Sequence, residues 1–203
     1  MSQKQLLVEY TTFEVTPQQV NESLSKNGGR LIVNGVLQRA ESKNQNGRIY
    51  PKETLMREAK IYANTFIKER RALGELDHPD SSVVNLQNAS HNVLDMSWKG
   101  DDLCGTVEVL STPSGNILKE LFKSGIRLGI SSRGMGSVKE IMGEAEETLE
   151  VQPDFELIAF DFVSNPSTQG AFLAPVNESV KRTAKQTQYN NIDRLITDII
   201  KDF

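Results

Sequence analysis

Hydrophobic and polar positions alternate in short bursts along most of this chain, and runs with a three-to-four-residue period interrupt them. The first burst, Leu6-Leu7-Val8-Glu9-Tyr10, reads as a short strand, and a polar segment follows it as far as Lys26-Asn27-Gly28-Gly29. Residues 31–37 are β-branched around Asn34-Gly35, which predicts a strand pair about a tight turn or one strand with a bulge. The folded core is expected to begin there. After a loop over 42–47 and Ile49-Tyr50-Pro51, the positions Leu55, Ala59, Tyr62 or Ala63 and Phe66 predict a helix from about 52 to 71.

Residues 83–86, 92–98 and 102–110 read as strands, with Lys99-Gly100-Asp101-Asp102 turning between the last two. A second helix spans 114–123, with Ile117, Leu118, Leu121 and Phe122 on one side and Ser124-Gly125 as its stop. A strand over 126–131, a glycine-bearing loop and a strand over 155–163 complete the series, which ends at Asn165-Pro166-Ser167. Many short strands with two helices predict an α+β fold: a mostly antiparallel β-barrel or sheet with flanking helices. Residues 176–191 are polar and read as a linker. Beyond them Ile192, Leu195, Ile196, Ile199 and Ile200 form an apolar stripe on a short helix. Such a helix needs a surface to lie on, either its own core or a partner. The expected organisation is an N-terminal segment over 1–29, one domain over 30–175 and an appendage over 176–203.

Composition narrows the function classes. A net charge of −4 gives no broad footprint for nucleic acid. No apolar run approaches the roughly 20 residues of a membrane helix. The start, Met1-Ser2-Gln3-Lys4-Gln5, lacks the hydrophobic stretch of a signal peptide, so a cytoplasmic protein is expected. The single cysteine, Cys104, fits a reducing compartment and, within strand-like residues 103–110, reads as a small buried thiol rather than a nucleophile.

Chemistry concentrates at three places. Of only two histidines, His78 lies in the polar turn Gly74-Glu75-Leu76-Asp77-His78-Pro79, where the following proline biases its backbone toward an extended conformation, while His91 opens a strand and reads as structural. The cluster Gly129-Ile130-Ser131-Ser132-Arg133-Gly134 follows an apolar alternation, and a hydroxyl becomes a good nucleophile when a positioned imidazole takes its proton. If Ile126, Leu128 and Ile130 face the core, Ser131 points away from it and Ser132 points inward or begins a turn. The amides around Arg133 and Gly134 are candidate oxyanion donors. Asp161 lies inside an apolar strand, where it is either an outward-facing residue or a buried carboxylate that needs a partner. A metal site on Asp77, His78 and His91 matches no familiar ligand spacing, and neither metal nor cofactor is expected.

At these residues the chain resembles the prohead core proteases of T-even-type tailed phages and, more distantly, the herpesvirus assemblin proteases. The resemblance rests on residues 74–79, on residues 129–137, on Asn46-Gly47-Arg48-Ile49-Tyr50-Pro51, and on the order from His78 through the serines to residues 161–167. It implies a herpesvirus-protease-like fold and a serine endopeptidase that cuts scaffold, core and capsid proteins inside an assembling prohead in the host cytoplasm, as a homo-oligomer. It also implies His78 as general base, Ser131 as nucleophile and Asp161 as third member, with Glu156 and Asp154 as poorer options, and Ser132, Arg133 and Gly134 around the oxyanion and substrate. Cleavage after glutamate in Leu/Ile-x-Glu sequences would need a cationic pocket, for which Arg133 and Arg127 are the candidates. The chain carries such sites itself. Self-cleavage is expected after Glu178, and next after Glu9, because both lie in segments expected to fray. The competing readings are a non-enzymatic capsid-core scaffold, and an esterase or amidase, although Gly129-Ile130-Ser131-Ser132-Arg133 lacks the closing glycine of a nucleophile elbow.

Overall fold

The computed structural model describes residues 4–77, 79, 81–141 and 148–164. The expected linker and C-terminal helix lie outside them, as does His78. Strand β1 (Gln5–Phe13) is followed by α1 (Pro17–Lys26), β2 (Leu31–Arg39), β3 (Arg48–Ile49) and α2 (Lys52–Tyr62), which runs into a π-helical turn at Ala63–Ile67. Then come β4 (Leu73–Glu75), β5 (Ala89–Lys99), β6 (Asp102–Val109), α3 (Pro113–Lys123), β7 (Leu128–Gly136), β8 (Val138–Ile141), β9 (Thr148–Val151) and β10 (Glu156–Val163). The fold is mixed α+β, with mostly antiparallel sheets and few helices.

Among the described residues three sheets are formed, in the orders β1-β7-β10, β2-β6-β5-β4 and β3-β9-β8. The first two meet at one seam. Leu76, just beyond β4, makes a parallel bridge to Phe162 of β10, and the Asp77 amide donates to the Phe162 carbonyl at 2.7 Å. The core gathers on Phe162, whose ring takes edge-on contacts from Phe13 (5.1 Å between centroids), Phe122 (5.4 Å) and His91 (4.7 Å). Edge-to-face packing sets the positive rim of one ring against the negative face of another, which favours this arrangement over parallel stacking.

The core does not begin at residue 31, where the sequence pattern places its start. β1 pairs along its whole length with β7, and Leu7 and Phe13 are fully buried, so the packed body begins well before residue 31. Helix α1 was hidden because only Val20 is buried along it. Its legible signal was Thr16-Pro17-Gln18-Gln19: the Thr16 hydroxyl accepts from the Gln19 amide, Gln19 reciprocates on the Thr16 amide, and Pro17 opens the first turn. Residues 31–39 form one strand with a bulge between Val36 and Gln38, which decides between the two readings of Asn34-Gly35.

The predicted strand over 83–86 is absent, and Val83 and Leu86 are 71% and 72% exposed, without the neighbour that pays for an apolar strand. The helix begun at Lys52 stops regular α-winding at Tyr62, short of residue 71, while Leu55, Ala59 and Tyr62 are buried as the spacing predicted. Helix α3 ends as expected at Ser124-Gly125, where Gly125 takes a left-handed φ of 72°, although Ile117 turns outward instead of joining Leu118 and Phe122. Cys104 is half-buried, because the inward face of β6 belongs to Leu103, Gly105, Val107 and Val109.

Candidate active site

The serine pair lies in the middle of a strand. The sequence pattern suggested a loop after residue 131, whereas β7 continues to Gly136 and is flanked on both sides. Ser131 stands opposite Tyr10 of β1 and Asp161 of β10, and Ser132 opposite Glu9 and Phe160. Because side chains alternate along a strand, Ser131, Arg133 and Asp161 share one face, while Ile130, Ser132, Phe160 and Phe162 share the face that holds the aromatic core. Ser131 thus lies on the face opposite Ile130, but that face is enclosed too, and Ile126, expected with the core set, is exposed. Both serines are 1% exposed, and neither hydroxyl has a partner among the described residues.

A strand in this position needs small residues at its crossings. A Cβ on Gly129 would lie 1.6 Å from the Tyr10 ring, and one on Gly134 would lie 2.4 Å from the Phe155 ring. These glycines admit neighbouring rings, which is a packing use. The amides of Arg133 and Gly134 sit where β7 is paired to Val8 and Leu7 on one side and to Ala159 and Leu157 on the other. Ladder pairing is the ordinary use of such amides, and the irregularity between Leu157 and Ala159 falls opposite these two residues.

Arg133 is likewise not a surface cation waiting for a substrate. Its guanidinium is completely buried, donating from Nε to Asp161 Oδ2 at 2.8 Å and from Nη2 to Asp161 Oδ1 at 3.2 Å and Glu75 Oε1 at 3.0 Å. Nη1 donates to the Ser81 carbonyl at 2.6 Å. Asp161 Oδ1 also accepts from the Glu75 amide at 3.0 Å. Burial pushes the Asp161 carboxyl above its ordinary range, and the Arg133 charge and the Glu75 amide pull it back. Sequence reasoning placed Arg133 at the site but missed Glu75, which is fully buried beside it. The signal for Glu75 was a carboxylate directly after Gly74 in the polar turn.

The other candidates resolve as follows. His91 is fully buried, with Nδ1 2.8 Å from the Ser90 hydroxyl and Nε2 2.8 Å from the Phe160 carbonyl, so both ring nitrogens are engaged and the residue is structural as expected. Asp154 accepts from the amide and hydroxyl of Ser137, and Glu156 pairs with Lys4 at the surface; neither stands beside Ser131. Arg127 is exposed. Glu9 contradicts the expectation of a fraying segment: it is buried in β1, where Arg48 Nη1 (2.7 Å) and the Tyr50 hydroxyl (2.9 Å) reach one oxygen and Asn44 and Asn46 reach the other.

A buried hydroxyl cross-strand from a carboxylate on an antiparallel sheet, with the Leu76-Asp77 segment bridged alongside, is an arrangement suited to acyl-transfer chemistry. A family model for the prohead core protein serine protease matches residues 11–181, and the chain belongs to that family. The prohead core protein protease of Enterobacteria phage T4 is 34% identical over 158 residues, which covers 76% of this chain and 73% of that protein. The solved structure of the bacteriophage T4 capsid assembly protease matches with a TM-score of 0.66 and 31% identity, covering 80% of this chain and 99% of that one. This chain is thus a prohead protease by family, with the architecture of the T4 enzyme.

Proposed function

We propose that the chain is a serine endopeptidase that cleaves scaffold, core and capsid proteins inside the assembling prohead, with Ser131 as nucleophile, His78 as general base and Asp161 as the third member. The observation that carries this reading is the direct cross-strand pairing of Ser131 with Asp161, beside the Leu76-Asp77 segment bridged to Phe162. His78 follows that segment in the sequence. Asp161 accepts three hydrogen bonds, and a carboxylate has about four acceptor positions, so one remains for an imidazole.

In this mechanism His78 removes the Ser131 proton as Oγ attacks the scissile carbonyl, and then delivers it to the leaving amine as the peptide bond breaks. Water hydrolyses the acyl-enzyme by the same steps in reverse order of roles. The amides around Arg133 and Gly134, opposite the irregularity in β10, are the candidate oxyanion donors. With Arg133 enclosed, Arg127 is the remaining candidate to grip a glutamate side chain. Self-processing after Glu178 would release the apolar-striped C-terminal segment.

Fluorophosphonate labelling followed by peptide mapping tests the reading. Label on Ser131 that is lost in Ser131→Ala, together with cleavage of a Leu-Lys-Glu peptide, is the expected result. Absence of both would favour a non-enzymatic scaffold. Intact-mass analysis of wild type beside Ser131→Ala tests self-processing separately.

A further inference from the structure

We infer that Arg133 is a positioning residue that fastens Glu75 and Ser81, which flank His78 in the sequence, to the strand that carries Ser131; this rests on the serine–histidine reading above. The guanidinium lies at a convergence of three strands and a loop. Its own residue is two positions beyond Ser131 on β7, Asp161 is on β10, Glu75 ends β4, and Ser81 lies after the His78 position. It therefore holds described residues on both sides of the His78 position. Glu75 strengthens the closure, because the Oε1 atom that accepts from Arg133 also accepts from the Asn85 amide at 3.0 Å, while the Leu76 amide donates to the Asn88 carbonyl at 3.1 Å.

Only an arginine can fill this position. A planar fork with five donors reaches two Asp161 oxygens, Glu75 and the Ser81 carbonyl in fixed directions at once, whereas a lysine ammonium has three donors on one atom and a flexible stem. Two carboxylates around a single cation, all without exposure, also explain why the group has a structural grip: each anion is costly to bury without this partner. The consequence for function is geometric. A base misplaced by about 1 Å relative to its nucleophile costs on the order of 100-fold in rate without altering how distant parts of the substrate bind.

Arg133→Lys and Glu75→Gln test the inference in the full chain, each checked for a native fold by near-UV circular dichroism. The expected result is a loss of roughly 100-fold in kcat for Arg133→Lys and roughly 10-fold for Glu75→Gln, with KM within about twofold of wild type. Amide exchange should accelerate at residues 76–85 and remain unchanged in β5 and β6. In Arg133→Ala, added methylguanidinium should restore part of the fluorophosphonate labelling rate. Unchanged exchange over 76–85 in a folded variant, or a rise in KM at constant kcat, would overturn the positioning role. If Arg133→Lys does not fold, Glu75→Gln alone decides by the same two readouts. A wild type that is not labelled on Ser131, but whose variants still loosen residues 76–85, would instead refute the serine reading and leave the clamp standing.

Discussion

The imidazole of His91, on β5, lies 2.8 Å from the carbonyl oxygen of Phe160, on β10, so one hydrogen bond crosses the seam between the two larger sheets. Since the carbonyl accepts, Nε2 carries the proton, and Nδ1 accepts from the Ser90 hydroxyl at 2.8 Å. The ring is neutral by construction, because complete burial pushes its pKa from 6.5 down to about 4.

That shift sets a pH dependence of stability. The unfolded chain binds a proton near pH 6.5 while the folded chain resists it to about pH 4, so the stabilisation is complete above pH 6.5 and is lost as the pH falls toward 4. The loss from this group is of order 3 kcal/mol. Urea denaturation at pH 7.5 and pH 5 should show it, and His91→Gln should flatten the difference. Since His91 has no place in the proposed chemistry, activity per folded molecule should survive the substitution.

The same seam depends on Gly74. A Cβ there would lie 1.9 Å from the Phe160 carbonyl oxygen and 2.3 Å from His91 Nε2, and backbone cannot yield as a flexible side chain can. Gly74→Ala should therefore destabilise the fold by at least about 2 kcal/mol. Thermal unfolding measured beside Gly100→Ala makes the comparison. At Gly100, where φ is 63°, nothing lies within 4 Å, so its cost is backbone strain alone and should be about 1 kcal/mol.

Glu9 should resist proteolysis and resist substitution. Cleavage after it requires β1 to leave β7, and the four side-chain donors around its carboxylate hold it there. Glu9→Gln should cost about 2–4 kcal/mol, because Arg48 then loses its buried ionic partner. Tyr50→Phe should cost about 1 kcal/mol. Intact-mass analysis of wild type over time should show no species beginning at Tyr10.

At the proposed nucleophile, Ser131→Ala and His78→Ala should each lower peptide cleavage by about 10⁴-fold. Ser132→Ala should retain activity, since its hydroxyl faces the aromatic side of the sheet. An active Ser131→Ala beside an inactive Ser132→Ala would shift the assignment by one residue.

Asp161→Asn should reduce both rate and stability. The carboxylate is one of two anions that balance the buried Arg133, and its loss should cost about 2–4 kcal/mol. Separating the two effects requires kcat measured well below the midpoint of thermal unfolding. A stable variant with normal turnover would remove Asp161 from both roles.

Alternation and period by themselves determined β6 and α3, with the stop at Ser124-Gly125, because these bury one regular face against the core, while β5 and β10 showed as apolar runs that are buried on both faces over part of their length. The His78 turn and the Ser131 cluster were legible for a related reason: few residues in the chain can do proton transfer or nucleophilic chemistry, and they stand in short polar motifs. The tertiary structure alone decided what the residues between them do. Helix α1 shows one buried side chain, so its pattern was nearly silent until β2 and α3 packed against it. The stretch from Ser131 to Gly136 reads as a polar loop in isolation and becomes a strand only because β1 and β10 supply partners on both sides. Arg133, Glu75 and Glu9 look like solvent-facing polar residues in one dimension. They are buried because each finds its counter-charge or acceptor on a strand distant in sequence, and a partner set by long-range pairing leaves no trace in local periodicity.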